Sequence, residues 1–298
     1  MSAVSGEQAR PVAAGEEAAT GGLSRGKRWR KRYGLAAAGA TIVAIWVFIA
    51  VFAPLISPYD PTAVDVTQRL LAPSWKHWLG TDVLGRDVFS RLLYGTQVSL
   101  TASFVVVILG AAIGTILGGM AAYAGGRIEQ LIMRLTDLVL CFPPIILALA
   151  IAAALGIGTM NTIIAMLVVW WPKFARLAHS LVLVQRSHEY VEAAKSMGLS
   201  HKRILLRHII PNAVGPLIVL ITLDLGNAIM TFAGLSFLGL GVVPPTPEWG
   251  SMVAEGRELV QQWWVATFPG IAILTIVLGF NFLGDGVRDW LDPRSANR

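Results

Sequence analysis

A single acidic side chain lies well inside a long apolar run of the sequence. Asp224 falls within residues 211–242, and Asn227 follows three positions later, on nearly the same face of a helix. An ionisable group in such a run is a candidate for a functional role, because burying its charge is costly. Two roles fit these residues. Either the pair lines a polar path and contacts an amino group or amides, or Asp224 is a buried, hydrogen-bonded structural group.

The remaining reactive side chains form no catalytic or metal-binding pattern. The five histidines lack the spacing of zinc ligands, and neither a nucleophile elbow nor an HExxH motif occurs. Residues 21–27 match the start of a phosphate-binding GxxxxGK loop. However, Arg28 stands where the Mg²⁺-binding Ser or Thr belongs. The sequence therefore predicts a chain that is not an enzyme and that binds no metal or cofactor itself.

A second polar segment, residues 188–212, interrupts the apolar chain with the letters HEYVEAAKSMGLSHKRILLRHIIPN. Apolar residues between Tyr190 and Met197 recur at helical spacing. Gly198 suits the turn that ends a helix, and Ser200 suits the N-cap of the next one. The segment is therefore predicted to be a helix pair, and such a pair between apolar runs suggests a docking surface for a soluble partner.

The composition indicates a membrane protein. The chain of 298 residues is 55% hydrophobic and 14% charged, whereas soluble domains carry about 25% charged residues. The single cysteine, Cys141, excludes an intrachain disulfide. Windows of about 20 residues, the length that a bilayer requires, predict six spans at roughly 34–56, 98–124, 134–156, 160–182, 211–242 and 264–285.

Four details refine these spans. Lys173 and Arg176 are expected near the cytoplasmic end of the fourth span, with the helix continuing out of lipid, because a charge at the bilayer centre is costly. The fifth run is longer than a span requires and is expected to break near residues 239–241. The ridge of Gly110, Gly114 and Gly118 is expected to pack against another helix, with a partner in this chain favoured. The tryptophans that suit an interfacial belt are Trp249, Trp263 and Trp264.

The basic residues predict the orientation. With the N-terminus inside, 19 of the 24 Lys and Arg residues lie in cytoplasmic segments and 5 lie outside. Both termini and the 188–212 segment are therefore expected in the cytoplasm. The net charge of +6 comes from residues that flank the spans, which argues against nucleic-acid binding. The chain is thus expected in the cytoplasmic (inner) membrane as a multi-pass protein.

Three separated motifs resemble the binding-protein-dependent ABC importer permeases. Glu192-Ala193-Ala194, then Gly198 and the letters IIPN, resemble the EAA loop of that family. Residues 79–95, LGTDVLGRDVFSRLLYG, resemble the signature of its dipeptide, oligopeptide and nickel subfamily, in the C-type permease subunit. Residues 234–250 form the third motif. After Gly95, Thr96-Gln97 replaces the small residue and arginine of many relatives.

The resemblance implies an all-α, polytopic fold with six transmembrane helices, the type I ABC importer transmembrane domain. It implies partners: a homologous second permease, two ATP-binding subunits that hold ATP and Mg, an extracytoplasmic binding protein and membrane lipid. The cargo implied is dipeptides or oligopeptides, with nickel complexes, glutathione or oligosaccharides as alternatives. In this mechanism, ATP binding moves the 188–208 helix pair, the spans switch from inward-open to outward-open, and hydrolysis resets them.

The resemblance also assigns roles to residues. ATPase coupling is expected from Glu189, Tyr190, Glu192, Ala193, Ala194, Met197 and Gly198. Asp224 and Asn227 are candidates for the translocation path. Contact with the binding protein is expected from Asp82, Arg86 and Asp87, although these charges also fit a solvated, self-paired loop. Asp87 is further expected to cap the helix that follows it.

The expected domains are a disordered basic tail (1–33), a first helix with an extracytoplasmic loop (34–97), and a permease core (98–298) whose coupling loop is 186–210. The residues leave two other classes of protein to consider. An ion-coupled transporter would use Asp224 as its titratable group, but it would leave the 188–212 segment unexplained. A membrane scaffold would not require Asp224 and Asn227 inside a span.

Overall fold

The computed structural model describes residues 25–186, 196–197 and 210–291. These residues are almost entirely helical, which confirms the predicted all-α class. The elements are α1 (Arg25–Ile56), a short 3-10 helix (Val66–Gln68), α2 (Val88–Ala124), α3 (Gly126–Leu140), α4 (Pro144–Leu155), α5 (Thr159–Arg186), α6 (Ile210–Phe237), α7 (Trp249–Gly256) and α8 (Trp264–Leu291).

Within the described residues, five helices are long and apolar enough to cross a membrane: α1, α2, α5, α6 and α8. Helices α3 and α4 make a sixth span only if they count as one broken span, because they meet at an angle of 93°. The single span predicted at 134–156 is corrected by this bend. Pro143 and Pro144 lack amide hydrogens and disfavour a helical residue before them, so the helix stops at Leu140.

Other boundaries also differ from the prediction. The first candidate span is Gly34–Ile56, as predicted, but its helix α1 begins at Arg25, inside the predicted disordered tail; arginine and lysine are good helix formers next to an apolar span. Helix α5 continues to Arg186, beyond Lys173 and Arg176, as expected for a helix that extends past its span. The break in the fifth run is confirmed, since α6 ends at Phe237 and Gly239 has a φ of +84°.

The helices alternate in direction, so their connections gather at two ends. At one end, which we call the loop end, residues 57–87 contact residues 238–263. Trp264 Nε1 donates to the Thr81 carbonyl at 3.2 Å there, and Thr162 Oγ1 donates to the Leu240 carbonyl at 2.8 Å. The C-terminal end of α5 and the N-terminal end of α6 lie at the opposite end, so the 188–212 segment joins the bundle there.

A seam of glycines joins α2 to α5. A Cβ atom on Gly114 would lie 2.2 Å from the Trp171 carbonyl oxygen, and one on Gly118 would lie 2.0 Å from the Ala175 carbonyl oxygen. A Cβ atom on Gly110 would lie 3.1 Å from the Cβ atom of Trp170, a looser contact. Only glycine lets the two backbones approach this closely. The expectation that the ridge packs within the chain is confirmed.

We expect Gly118→Val to loosen the seam, because its side chain would overlap the α5 backbone. Overpacking of this kind costs about 1–3 kcal/mol. The matched control is Gly119→Val, since a Cβ atom on Gly119 meets nothing within 4 Å. Thermal unfolding of the purified full chain in detergent measures both. Equal losses in the two variants would contradict the account of the seam.

Candidate functional site: a polar pair in the span and an ionic cluster at the loop end

Asp224, predicted as a path residue, is paired with a lysine from a neighbouring helix. Lys173 Nζ of α5 donates to Asp224 Oδ1 of α6 at 2.6 Å. Asn227 Nδ2 donates to the same oxygen at 3.3 Å. The structure therefore brings Asp224 and Asn227 together, as their spacing predicted, and adds a cation that the sequence reasoning did not assign to this site.

The two charges of this pair differ in their exposure. The Asp224 side chain is 3% exposed and the Lys173 side chain 31%. Asp224 Oδ2 is buried and has no hydrogen-bond partner among the described residues. The ammonium also lies 4.9 Å from the centroid of the Trp170 ring, a cation–π distance. The carboxylate thus serves as a sealed counter-ion, and the ammonium is the accessible member.

Sequence reasoning placed Lys173 at the end of a span and so missed this partner. The two residues are 51 positions apart, and no local spacing links them. The available signal was Lys173 itself, because a lysine within an apolar run requires a counter-charge. Asp224 is the only acid in the apolar part of the predicted spans, so the two charges could have been matched.

An ionic cluster joins the loop before α2 to helix α7. Arg86 Nε lies 2.7 Å from Asp82 Oδ2, and Arg86 Nη2 lies 3.0 Å from Glu255 Oε2. Arg91 contacts the same two acids, at 3.2 Å from Asp82 and 3.0 Å from Glu255. Two arginines and two carboxylates therefore balance one another, with only Glu255 partly exposed. The cluster fixes the loop end across more than 160 residues of sequence.

Asp87 begins α2, as predicted. Its Oδ2 atom accepts hydrogen bonds from the backbone N–H and the hydroxyl of Ser90, both at 2.8 Å. Its Oδ1 atom lies 2.9 Å from His77 Nδ1. Asp87 thus caps the helix and holds the preceding loop at the same time, and the capping prediction is confirmed.

The loop charges are self-paired but buried rather than solvated. Asp82, Arg86 and Asp87 are all buried, because they satisfy one another and the helix end. Contact of these three residues with a binding protein stays a prediction. Because they are buried, little of their side-chain surface is accessible to a partner. The exposed neighbours are the residues that face outward, with Trp75 98% exposed and Leu84 40% exposed.

Helix α7 inserts between α2, α6 and α8. Trp249 is fully buried, and its Nε1 atom donates to the Leu92 carbonyl at 3.1 Å. The predicted interfacial belt is therefore corrected for Trp249 and for the buried Trp264, whereas Trp263 is 53% exposed. An indole that finds a carbonyl partner can be buried without loss, which the sequence alone does not reveal.

Glu248 caps α7 from a fully buried position. Its Oε1 and Oε2 atoms each accept a backbone hydrogen bond at 2.9 Å, from Gly250 and Ser251, and Ser99 Oγ of α2 donates to Oε1 at 3.0 Å. Burial raises the pKa of this carboxyl, and the hydrogen bonds from Gly250, Ser251 and Ser99 oppose that shift. Glu248 therefore ties α7 to α2 in addition to starting the helix.

A glutamine side chain replaces a backbone hydrogen bond that a proline removes from α1. Pro54 has no amide hydrogen, so the carbonyl of Ala50, four residues earlier, lacks its helical donor. Gln97 Nε2 of α2 donates to that carbonyl at 2.7 Å. The residue that departs from the family signature thus has a structural role in an apolar setting, where an unpaired carbonyl is costly.

At the opposite end of the bundle, α5 is tied to α2 just before the 188–212 segment. Arg186, the last residue of α5, donates to the carbonyl of Ala122 near the end of α2. Of the predicted coupling residues, Met197 is described and is 74% exposed. The others lie outside the described residues: Glu189, Tyr190, Glu192, Ala193, Ala194 and Gly198.

The fold and the family comparison define the class of protein. The chain belongs to the family described as binding-protein-dependent transport system inner membrane component, which matches residues 110–297. Two structures of inward-facing MetNI methionine ABC transporter share the fold, with TM-scores of 0.56 and 0.54 at 18% and 19% identity. They cover 67% and 68% of this chain and 96% of theirs. The predicted type I importer transmembrane domain is thereby confirmed.

Within that family, the chain is a C-type permease. The N-terminal domain of oligopeptide transport permease C matches residues 29–73. The chain is 45% identical over 265 residues to the probable D,D-dipeptide permease DdpC of Escherichia coli K12, covering 89% of each. It is 44% identical to the dipeptide permease DppC of Alkalihalophilus pseudofirmus, covering 89% of this chain and 87% of that one. Membership in this family sets aside the ion-coupled transporter and the scaffold.

We expect Asp82→Asn to destabilise the loop end, because it leaves Arg86 and Arg91 with one carboxylate between them. Breaking a buried ion pair in this way costs about 3–5 kcal/mol. The control is Glu258→Gln, which removes an exposed partner of Arg257 and should change stability by at most about 1 kcal/mol. Thermal unfolding in detergent compares them. If Asp82→Asn were as stable as the control, the cluster would not hold the loop.

Proposed function

We propose that this chain is the C-type permease subunit of an ATP-driven importer that carries dipeptides or oligopeptides across the inner membrane. The observation that carries the cargo class is the set of names borne by its relatives. Besides the two dipeptide permeases, the glutathione permease GsiD of Escherichia coli O6:K15:H31 is 45% identical over 270 residues, covering 90% of this chain and 89% of that one. Each of these cargoes is a short peptide.

The proposed assembly contains a homologous second permease, two ATP-binding subunits and an extracytoplasmic binding protein, all in membrane lipid. ATP and Mg belong to the ATP-binding subunits. The 188–212 segment docks on them, and its described residue Met197 offers an exposed side chain for that contact. Because Arg186 ties α5 to α2, a movement of the segment reaches both helices of the glycine seam at once.

The proposed orientation places the loop end outside and both termini in the cytoplasm. The binding protein then docks on residues 57–87 and releases its peptide towards the polar pair of Asp224 and Lys173. The ionic cluster supports this reading, since it makes the loop end a rigid platform. The proposed domains are the tail 1–33, the segment 34–97 with the outer loop, and the core 98–298.

Cysteine labelling tests the orientation. On a Cys141→Ala background, Trp75→Cys and Ser196→Cys each introduce one exposed thiol at opposite ends of the bundle. We expect an impermeant maleimide to label the first variant in intact cells and the second only after the membrane is opened. The reverse pattern would invert the proposed topology.

Substitutions in the 188–212 segment test the coupling. Ala194→Trp places a large side chain on the proposed docking face, and Gly198→Val costs about 1 kcal/mol or more if the turn needs a positive φ. We expect both variants to insert normally, but to lose co-purifying ATP-binding subunits or to uncouple ATP hydrolysis from uptake.

Ala194→Ser is the matched control, because it keeps a small residue at the same position. It should retain both the ATP-binding subunits and peptide uptake. Normal uptake by Ala194→Trp and Gly198→Val would refute the docking role of this segment.

A further inference from the structure

The polar pair in the span presents its positive charge rather than its negative charge. Lys173 is 31% exposed, whereas Asp224 is 3% exposed and is already hydrogen-bonded at Oδ1. Asn227, one turn along α6 from Asp224, is also exposed. The accessible polar surface at this level therefore consists of an ammonium and a carboxamide, with the carboxylate behind them.

This arrangement requires a polar surrounding on its open side. The exposed residues beside it on the same two helices include the apolar Val168 and Met230, and the charged Arg176, which is paired with Asp137 of α3. An ammonium and an amide on a face of this kind are costly against lipid, so such groups face a water-filled cavity or another polar partner. Among residues 25–186, 196–197 and 210–291, Asp224 Oδ1 accepts one of the three N–H donors of the ammonium, which leaves donors for a further partner.

We propose that Lys173, with Asn227 beside it, is the contact for the carboxylate of the peptide cargo. Asp224 acts as a positioning residue that holds the lysine side chain beside the path. This assignment rests on the proposed peptide function and reverses the sequence-based expectation that Asp224 meets an amino group. An ammonium and an amide N–H match a carboxylate in charge and in hydrogen bonding, and every unmodified peptide carries one at its C-terminus.

Thiol reactivity tests the electrostatics of the site without depending on transport. In membrane vesicles that contain the whole importer, Asn227→Cys on the Cys141→Ala background is treated with anionic and cationic methanethiosulfonates of equal size. The measured quantity is the ratio of the anionic to the cationic reaction rate. We expect this ratio to be roughly threefold to tenfold higher at Asn227→Cys than at Trp75→Cys, the reference thiol.

Two further substitutions should move this preference in opposite directions. Lys173→Gln removes the open cation, leaves Asp224 unbalanced and should reverse the preference. Asp224→Asn keeps the cation and should strengthen it. No reaction at Asn227→Cys, equal reaction with both reagents, or a shift in the same direction in both double variants would overturn the assignment.

Uptake separates this inference from the proposed function. We expect the wild-type importer to take up a dipeptide faster than its C-terminal amide. The ratio of these two uptake rates should fall at least threefold in Lys173→Gln. It should stay unchanged in Lys173→Arg. A difference that survives Lys173→Gln belongs to the binding protein and overturns the role of Lys173. Failure of the wild type to take up any peptide overturns the peptide cargo, and with it the carboxylate assignment, while the reactivity test still decides whether the site favours anions.

Discussion

The close contact between α2 and α5 is the constraint on which the rest of this bundle depends. Three glycines bring the backbones so near that no other residue fits at Gly114 or Gly118 without a shift. At its loop end, α2 carries Ser90, which donates to the capping carboxylate of Asp87. At its other end, it carries the Ala122 carbonyl, which accepts from Arg186. One helix thus connects the loop end, the helix that carries Lys173 and the segment that follows α5.

The buried ionisable groups of this bundle are arranged in sets whose members contact one another. Arg86 and Arg91 contact the same two acids, Glu248 accepts hydrogen bonds from the first turn of α7 with both oxygens, and Lys173 forms an ion pair with Asp224. In lipid, each of these groups alone would be costly, so each set also fixes which helices lie side by side. The pair of Lys173 and Asp224 differs from the other sets because the Lys173 side chain is partly exposed.

Much of the architecture follows from local pattern. Hydropathy predicted the main spans, the glycine spacing predicted a seam, and the position of Asp87 predicted a cap. The contacts that define the site could not be predicted in this way, because Lys173 and Asp224 are 51 positions apart and Arg86 and Glu255 are 169 positions apart. Local spacing carries no information about such pairs. The bend at Pro143-Pro144 was visible in the sequence, but a run of hydropathy averages over it and predicts one continuous span.

The hydrogen bond between Gln97 and the Ala50 carbonyl has a consequence for how this chain can evolve. Pro54 creates the vacancy that Gln97 fills, so neither residue is neutral on its own. Leucine at position 97 would strand a carbonyl in the bilayer, whereas alanine at position 54 would restore the helical donor and leave the glutamine amide superfluous. The two positions are therefore coupled: a side chain without a hydrogen-bond donor is tolerated at position 97 only where position 54 carries an amide hydrogen.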